Sequence, residues 1–564
     1  MRLIYKLLAI FIPMSALACL VFIIFSPNKG ISDGQPKLFD SNQTDLRHSI
    51  IQSLDQALQE KRFKDAASYN AILSQEALVR AFRVLKAWEG VRDSETGFVP
   101  REITGKPRWK ADDNAADLYP YLLLASHYLD QKNEEMWIDI IKRERDVCGK
   151  MPCSFHFKPI KIKEKNLATR IFGAAEYAKD GLLAITDRLG RGPWFERMEE
   201  IMDVLIDSAY VETKSGKISA TDAEVNGDNL QVLTRLYWAT RKSKYLEMAE
   251  RIGDAYFFEV FPRNDYLPTH DWDFNKEAPT DKFFKIRDHG NEIVPGLVEL
   301  YFLEKTLGRV IKVEQYREPL KKFLDTLLRI GRNDQGIWIC KIDTATKTQV
   351  NKKYTDNWGY ISNAYVTFDL AEGSQQYNLE MQRTMKAVAQ IKSYDWEEKR
   401  QDGYADTIES MLYLLPWFDI RECHNWVDEE IGILFGKQQE SGFVESIYLD
   451  GNFIRTALLY GKYKTLGVLP SPWREDLVLG SAFDPEKRWL YLFLNCEGDW
   501  NGLLKFDSPR HRLIWSLPFQ YPRLNSSPEW FVVEPEKKYV IENIDSGKRE
   551  VRSGQSLIDG YAVN

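Results

Sequence analysis

Three short stretches concentrate side chains able to move protons. DGYAD sets Asp402 and Asp406 four residues apart. On a helix both carboxylates then face one side, and two acids on one inner face push one pKa upward. RDHGNEIVPGL gathers Asp288, His289, Asn291 and Glu292 within 5 residues, in a chain with only 7 histidines. DNWGY joins Asp356 to Trp358 and Tyr360 around Gly359, whose lack of a side chain suits close approach of a ligand. An acid kept protonated near neutral pH beside a second carboxylate is what cleavage of a glycosidic oxygen requires. Asp406, one turn inside its helix where water is scarcer, is the expected donor, with Asp402 better placed to cap. Asp356 or Glu292 is the expected partner across the site, and His289 a further candidate catalytic group.

A wider set surrounds these. Asp112, Asp113, Asp222, Glu224 and Asp228 also stand at or near helix openings, interleaved with Trp109, Trp272 and Tyr404. Asp113, Asp228, Asn291, Trp358, Tyr360, Tyr404 and Trp272 are the candidate substrate-binding residues. Each has an ordinary alternative. Asp and Asn cap helices and complement the helix dipole, His289 can cap or hydrogen-bond, and Trp358 can pack against a neighbouring helix. Capping does not by itself explain so many acids around one rim. LPTHDWDF (267–274) reads as a loop over that rim, a lid or an ordinary polar loop, while Arg510, His511 and Arg523 read as strand-end salt bridges.

The elements that must position these groups recur along the chain. Segments opening on Asp, Asn or Gly and turning apolar begin near 113, 174, 228, 291, 356 and 402, at intervals of roughly 45–65 residues, the length of a two-helix hairpin with its loops. Polar turns with Gly followed by a short extended piece recur at DSETGFV (93), TKSGKIS (213), NDQGIWI (333) and QESGFVE (439). Six or seven such hairpins stacked in order bury one helix of each pair inside a ring. If the inner helices run the same way, Asp113, Asp228, Asn291, Asp356 and Asp402 share one end. From about residue 440 the period changes to 2, as in RWLYLFLNCE and HRLIWSLPF. The expected fold is therefore mainly α, an (α/α)6–7 toroid over 48–439 followed by an antiparallel β-rich domain over 440–564. No Gly/Ser/Pro-rich spacer separates the two, so they should pack together.

The ends and the composition set the surroundings. Residues 7–25 carry no charge and follow Arg2 and Lys6, long enough to span a bilayer as a helix. Residues 1–26 then read as a signal anchor, with a cleaved signal peptide (Ala16, Ala18) or a lipoprotein (Cys19) as alternatives, and 27–47 as a tether. All three place the remainder outside the cytoplasm, with the membrane as a partner. A formal net charge of -7 without a basic stripe argues against nucleic acid. Cys148 and Cys153 are spaced for a small disulfide loop, while Cys340, Cys423 and Cys496 read as buried thiols. Nothing calls for a metal or another cofactor, and there is no nucleophile elbow, phosphate loop or dinucleotide fingerprint. Aromatic residues reach 13%, as sugar-stacking clefts and aromatic-rich cores both do.

A toroid with these repeated Gly-turns and with the openings DNWGY and DGYAD, followed by a β-rich domain, resembles the six-hairpin carbohydrate-active enzymes. These include glycoside hydrolases and polysaccharide lyases. The resemblance implies an oligo- or polysaccharide substrate and, by the crowd of acids, hydrolysis. Elimination from a uronate-containing glycan, with His289 or Tyr360 as base and Asn291 as neutraliser, is the alternative. A tethered glycan-binding protein without chemistry is a third reading.

Overall fold

The computed structural model describes residues 19–25, as backbone, together with 44–163 and 166–563. Of the expected tether, 27–47, residues 27–43 lie outside the described residues, as does the first part of the apolar run, 7–18, while 44–47 already belong to a helix.

Helices alternate between an outer and an inner layer. Helix α1 (Thr44–Gln59) lies against the outer α2 (Phe63–Val91), which leads to the inner α3 (Tyr119–Leu129). Outer α4 (Glu134–Cys148) precedes the inner α5 (Leu167–Glu176), which continues through a wider turn at Tyr177–Leu182 into α6 (Leu183–Leu189). The pattern repeats with α7 (Pro193–Asp207) and inner α8 (Ala223–Thr240), then α9 (Ser243–Asp254) and inner α10 (Ile293–Leu307). It continues with α11 (Val310–Ile330) and inner α12 (Trp358–Glu372), α13 (Asn378–Ala389) and inner α14 (Gln401–Leu414), α15 (Arg421–Phe435) and inner α16 (Asp450–Lys464). Consecutive inner helices pack on one another and α16 packs back on α3, so seven hairpins close a ring.

The two layers differ as their sequences do. Outer α7 buries Trp194, Phe195, Met198, Ile201, Met202 and Leu205, a stripe at helical spacing with charge on the far side. Inner α12 is buried at every position from Trp358 to Asp369. Inner helices approach so closely that a Cβ on Gly227 would lie 2.3 Å from the Glu292 backbone, and one on Gly359 would lie 2.5 Å from Ser410. Gly359 thus serves helix contact rather than ligand approach. The recurring turns connect outer to inner helices: Gly97, Gly216, Gly336 and Gly442 all have positive φ, which only glycine adopts cheaply.

The ring extends beyond residue 440. DGNFIRTALLYGKYK, with its apolar groups at helical spacing, is the seventh inner helix, and the strands begin at Leu469. Beyond it, β2 (Leu469–Ser471), β5 (Gly502–Lys505) and β8 (Tyr561–Val563) form one antiparallel sheet in the order β2-β5-β8. Antiparallel pairs β3 (Val478–Asp484) with β4 (Trp489–Asn495), and β6 (Lys538–Asn543) with β7 (Arg549–Ser553), flank a strand from the other end of the chain. That strand is β1, Cys19–Phe25, paired parallel to β4 on one side and to β6 on the other. Strand β3 lies along α2, so the β region is packed on the ring.

The expected membrane helix is therefore a strand over its last seven residues. CLVFIIF is an unbroken apolar run, the pattern of a parallel strand covered on both faces as well as of a bilayer span, and its β-branched and aromatic side chains favour the former. The sheet and a bilayer cannot hold these residues together. Removing residues 1–26 should open the sheet between β4 and β6, lower the thermal midpoint and make residues 478–553 protease-sensitive. A chain beginning at Pro27 that is as stable and as resistant as the full chain would show that β1 is dispensable.

Candidate active site

The inner helices open at the same end. Asn357 ties three of them: its Oδ1 accepts from Thr355 Oγ1 at 2.9 Å, from the Asp288 amide at 3.1 Å and from Asn291 Nδ2 at 3.5 Å, and its Nδ2 donates to Asp406 at 3.2 Å. Asn452 of α16 donates to Asp402 of α14 at 2.5 Å, and Lys179 of the α5–α6 turn lies 3.5 Å from Asp228 of α8. Asp113, beside α3, pairs with Arg101 and, at 3.0 Å, with Lys110. The shared end read from the repeats is the observed one.

Among these acids capping is rare. Asp222 caps α8 by accepting from the Val225 amide at 2.8 Å. Asp113, Glu292 and Asn357 stand at cap positions without a side-chain cap bond, Asp228 lies a turn inside α8, and Asp402 turns to Asn452. Their carboxylates face one another around the bore. Burial is the main cause of the resulting proton affinities: it pushes Asp356 up to about 6, and Asp228 and Glu292 up to about 8. Burial, then the charges of Glu397 and Asp288, raise Asp402 to about 7. Burial also lifts Asp406 well above the carboxylate range against the pull of Arg455, whose guanidinium it shares with Glu409. In the floor, Lys179, Glu176 and Asn525 hold Asp180 low despite its burial.

The pair in DGYAD thus faces one site, in different surroundings. Asp406 is fixed between Arg455 and Asn357, whereas Asp402 is half-buried and open to the bore. His289 is no base. Asp288, then its bond to Glu224, raise the imidazole to about 10, so it is a cation at neutral pH.

Most of the expected aromatic platforms are wall. Trp358 is fully buried and donates to Thr407 at 3.0 Å, joining α12 to α14. Tyr404 donates to the Tyr394 carbonyl at 2.9 Å beneath Lys437, away from the bore. Trp272 and Trp109 are core residues, and LPTHDWDF is pinned to the opening of α8 through Ala223 N to His270 O at 2.8 Å. Asn291 is completely buried and acts as a tie. Tyr360 does face the bore, packing with Tyr413 and Leu524. Tyr448, stacked under Arg101 and in the field of Asp113, Asp117 and Asp402, and Phe172 beside His289 are the half-exposed rings at the mouth.

The far end is stoppered by residues 510–527 of the β region. Tyr521 donates to Glu299 at 3.1 Å, Arg235 donates to the Leu524 carbonyl at 2.9 Å, and Asn525 donates to Asp180 at 2.6 Å. Arg510 and Arg523, expected in strand-end bridges, both reach Asp187 at the end of α6. A loop from the C-terminal region therefore closes this end of the ring. Glu176, Lys179, Asp180, Asp117, Asn452 and Arg455 belong to the site and were not singled out from the sequence. AAEYAKDGLL stands at one of the recurring openings, so three of them lay inside a recognised motif. Cys148 and Cys153 are joined, and Cys340 and Cys423 are buried, but Cys496 is half-exposed.

No family model and no curated protein matches the chain. Among solved structures, an alpha-1,6-mannanase from a Salegentibacter species is 12% identical over 68% of this chain and 98% of that one, with a TM-score of 0.39. A cellobiose 2-epimerase from Bacillus thermoamylovorans is 9% identical, covering 56% of this chain and 88% of its own, with a TM-score of 0.38. An unsaturated glucuronyl hydrolase from a Bacillus species is 10% identical, covering 57% and 94%, with a TM-score of 0.39.

Proposed function

We propose that the protein is a glycoside hydrolase, with Asp402 as proton donor and Asp356 as the carboxylate that activates water or attacks the sugar. The observation that carries this reading is the cluster of carboxylates that do not cap their helices at the shared end of the ring, with Asp402 half-buried and at about 7, and its charge acting on Asp356, at about 6. Asp402 is thus the more readily protonated of the two and Asp356 the more readily ionised, the division of labour that acetal cleavage needs. Asp406 is a positioning residue, locked by Arg455 and Asn357, and Tyr448 and Phe172 offer faces to a sugar ring at the mouth.

Elimination is less well supported. His289 is held protonated between two acids, and burial raises the Tyr360 hydroxyl far above neutrality, so neither serves as base. The cations of the floor are already paired, Lys179 with Asp180 and Asp228, and Arg455 with Asp406 and Glu409, which leaves little to hold a uronate. Incubating the full chain with a polysaccharide panel tests the reading: reducing sugar without a new absorbance near ~235 nm marks hydrolysis, and that absorbance marks elimination, which forms a conjugated unsaturated uronate. Export belongs to the same proposal. The Cys148–Cys153 disulfide suits an oxidising compartment, and retention at a membrane would require Cys19–Phe25 to leave the sheet.

A further inference from the structure

At the stoppered end of the ring, a second cleft of about 330 Å³ opens between the ends of α3, α6 and α16 and the strands β2 and β5. Its lining is unbalanced in charge. Arg188, Lys462, Lys505 and Arg510 contribute to it against the carboxylate of Asp507. Arg510 is spoken for by Asp187 and Asp507. Arg188 reaches only backbone acceptors, the carbonyls of Ala184 and Ser526. Lys462 is 95% buried, with 5% of its surface exposed, and among the described residues neither it nor Lys505 has a carboxylate partner or a side-chain hydrogen bond; the Lys462 ammonium lies 5.5 Å from the face of Tyr128.

Helix ends supply one ordinary reason for cations here, because three inner helices finish at this face and their carbonyl ends attract positive charge. That reason suits Arg188, which bonds a carbonyl of its own helix. It applies to Lys462 through its place in the last turn of α16, but Lys462 bonds no carbonyl there, and it does not apply to Lys505, which comes from a strand. A buried ammonium with no carboxylate in contact is costly, and burial depresses Lys462 to about 8 although the more distant charges of Asp507 and Asp187 pull the other way against Arg510 and Arg188. An anion in the cleft would remove that cost.

We propose that this cleft is a binding site for a small oxyanion of the carboxylate or phosphate type, held by Lys462 and Lys505, with the Ser471 and Ser508 hydroxyls at its edge. It lies at the opposite end of the ring from the carboxylate bore and is independent of the chemistry proposed there. The test is calorimetric titration of the full chain with citrate and, separately, with inorganic phosphate, at constant ionic strength. Saturable binding of either is expected, weakened at least tenfold by Lys462→Met and by Lys505→Ala, and whichever probe binds identifies the chemistry. Lys505 is half-exposed, so its variant guards against a folding defect in Lys462→Met. Absence of saturable binding of both probes, or binding left unchanged by both variants, would overturn the proposal.

Discussion

Asp402→Asn is expected to lower turnover of a cleaved glycan by roughly a hundred- to ten-thousandfold, the usual worth of a positioned general acid, with the fold intact. Asparagine keeps the shape and the Asn452 contact but has no proton to give. The pH profile makes the assignment specific. Activity should fall below about 6, where Asp356 takes up a proton, and above about 7, where Asp402 loses its own. Asp402→Asn should abolish the alkaline limb in whatever turnover remains, and Asp356→Asn the acidic limb. Asp406→Asn should also depress turnover, because the Arg455 and Asn357 contacts that set the geometry of α14 are weakened, but both limbs should survive. Near wild-type turnover of Asp402→Asn, or a loss of the alkaline limb in Asp406→Asn instead, would return the donor role to Asp406.

The contrast between the clamped Asp406 and the half-buried Asp402 shows what a sequence can and cannot say about this site. Four residues along a helix put Asp402 and Asp406 on one face, and the ring confirms it. Two residues turn a side chain by about 200°, so Tyr404 points away from the face its neighbours share, and Trp358 away from Tyr360. The same arithmetic was available in the sequence, and it separates the ring that meets the bore from the one that packs. Which of two acids is clamped, however, depends on Arg455, and the helix carrying it was hidden by reading strands from residue 440. The Gly-turn QESGFVE had the form of the other outer-to-inner loops, so a further inner helix was its natural sequel. The last part of the apolar run at the N-terminus is a different case. CLVFIIF has no period to divide a bilayer span from a buried strand, and only the gap between β4 and β6 makes the difference.

The stopper was the least legible part, because PRLNSSPEW has no periodicity and its hydrogen-bond partners in the ring lie more than 150 residues away. Its anchor is Asp187, which is completely buried and accepts from Arg510 at 2.7 Å, Ser527 N at 2.9 Å, Trp515 Nε1 at 3.0 Å and Arg523 at 3.4 Å. Asp187→Ala leaves the buried Arg523 without its counter-charge and Arg510 with Asp507 alone, and should cost about 3–5 kcal/mol of stability, measured by denaturant unfolding. Burial pushes this carboxyl up, but Arg510 and Arg523 outweigh it and hold the folded-state pKa below the unfolded value. The stabilisation is therefore present in full above about 4, the pKa of an unfolded aspartate, and is lost as pH falls from there through the depressed folded value. Asp187→Asn should flatten that acid dependence while keeping part of the hydrogen bonding. If the loop leaves without the ring unfolding, protease should cut within 510–530 first, and the floor held by Asn525 should loosen, so that turnover falls with the stopper. A variant with wild-type stability and an uncut loop would mean that Tyr521 and Arg235 hold the stopper without Asp187.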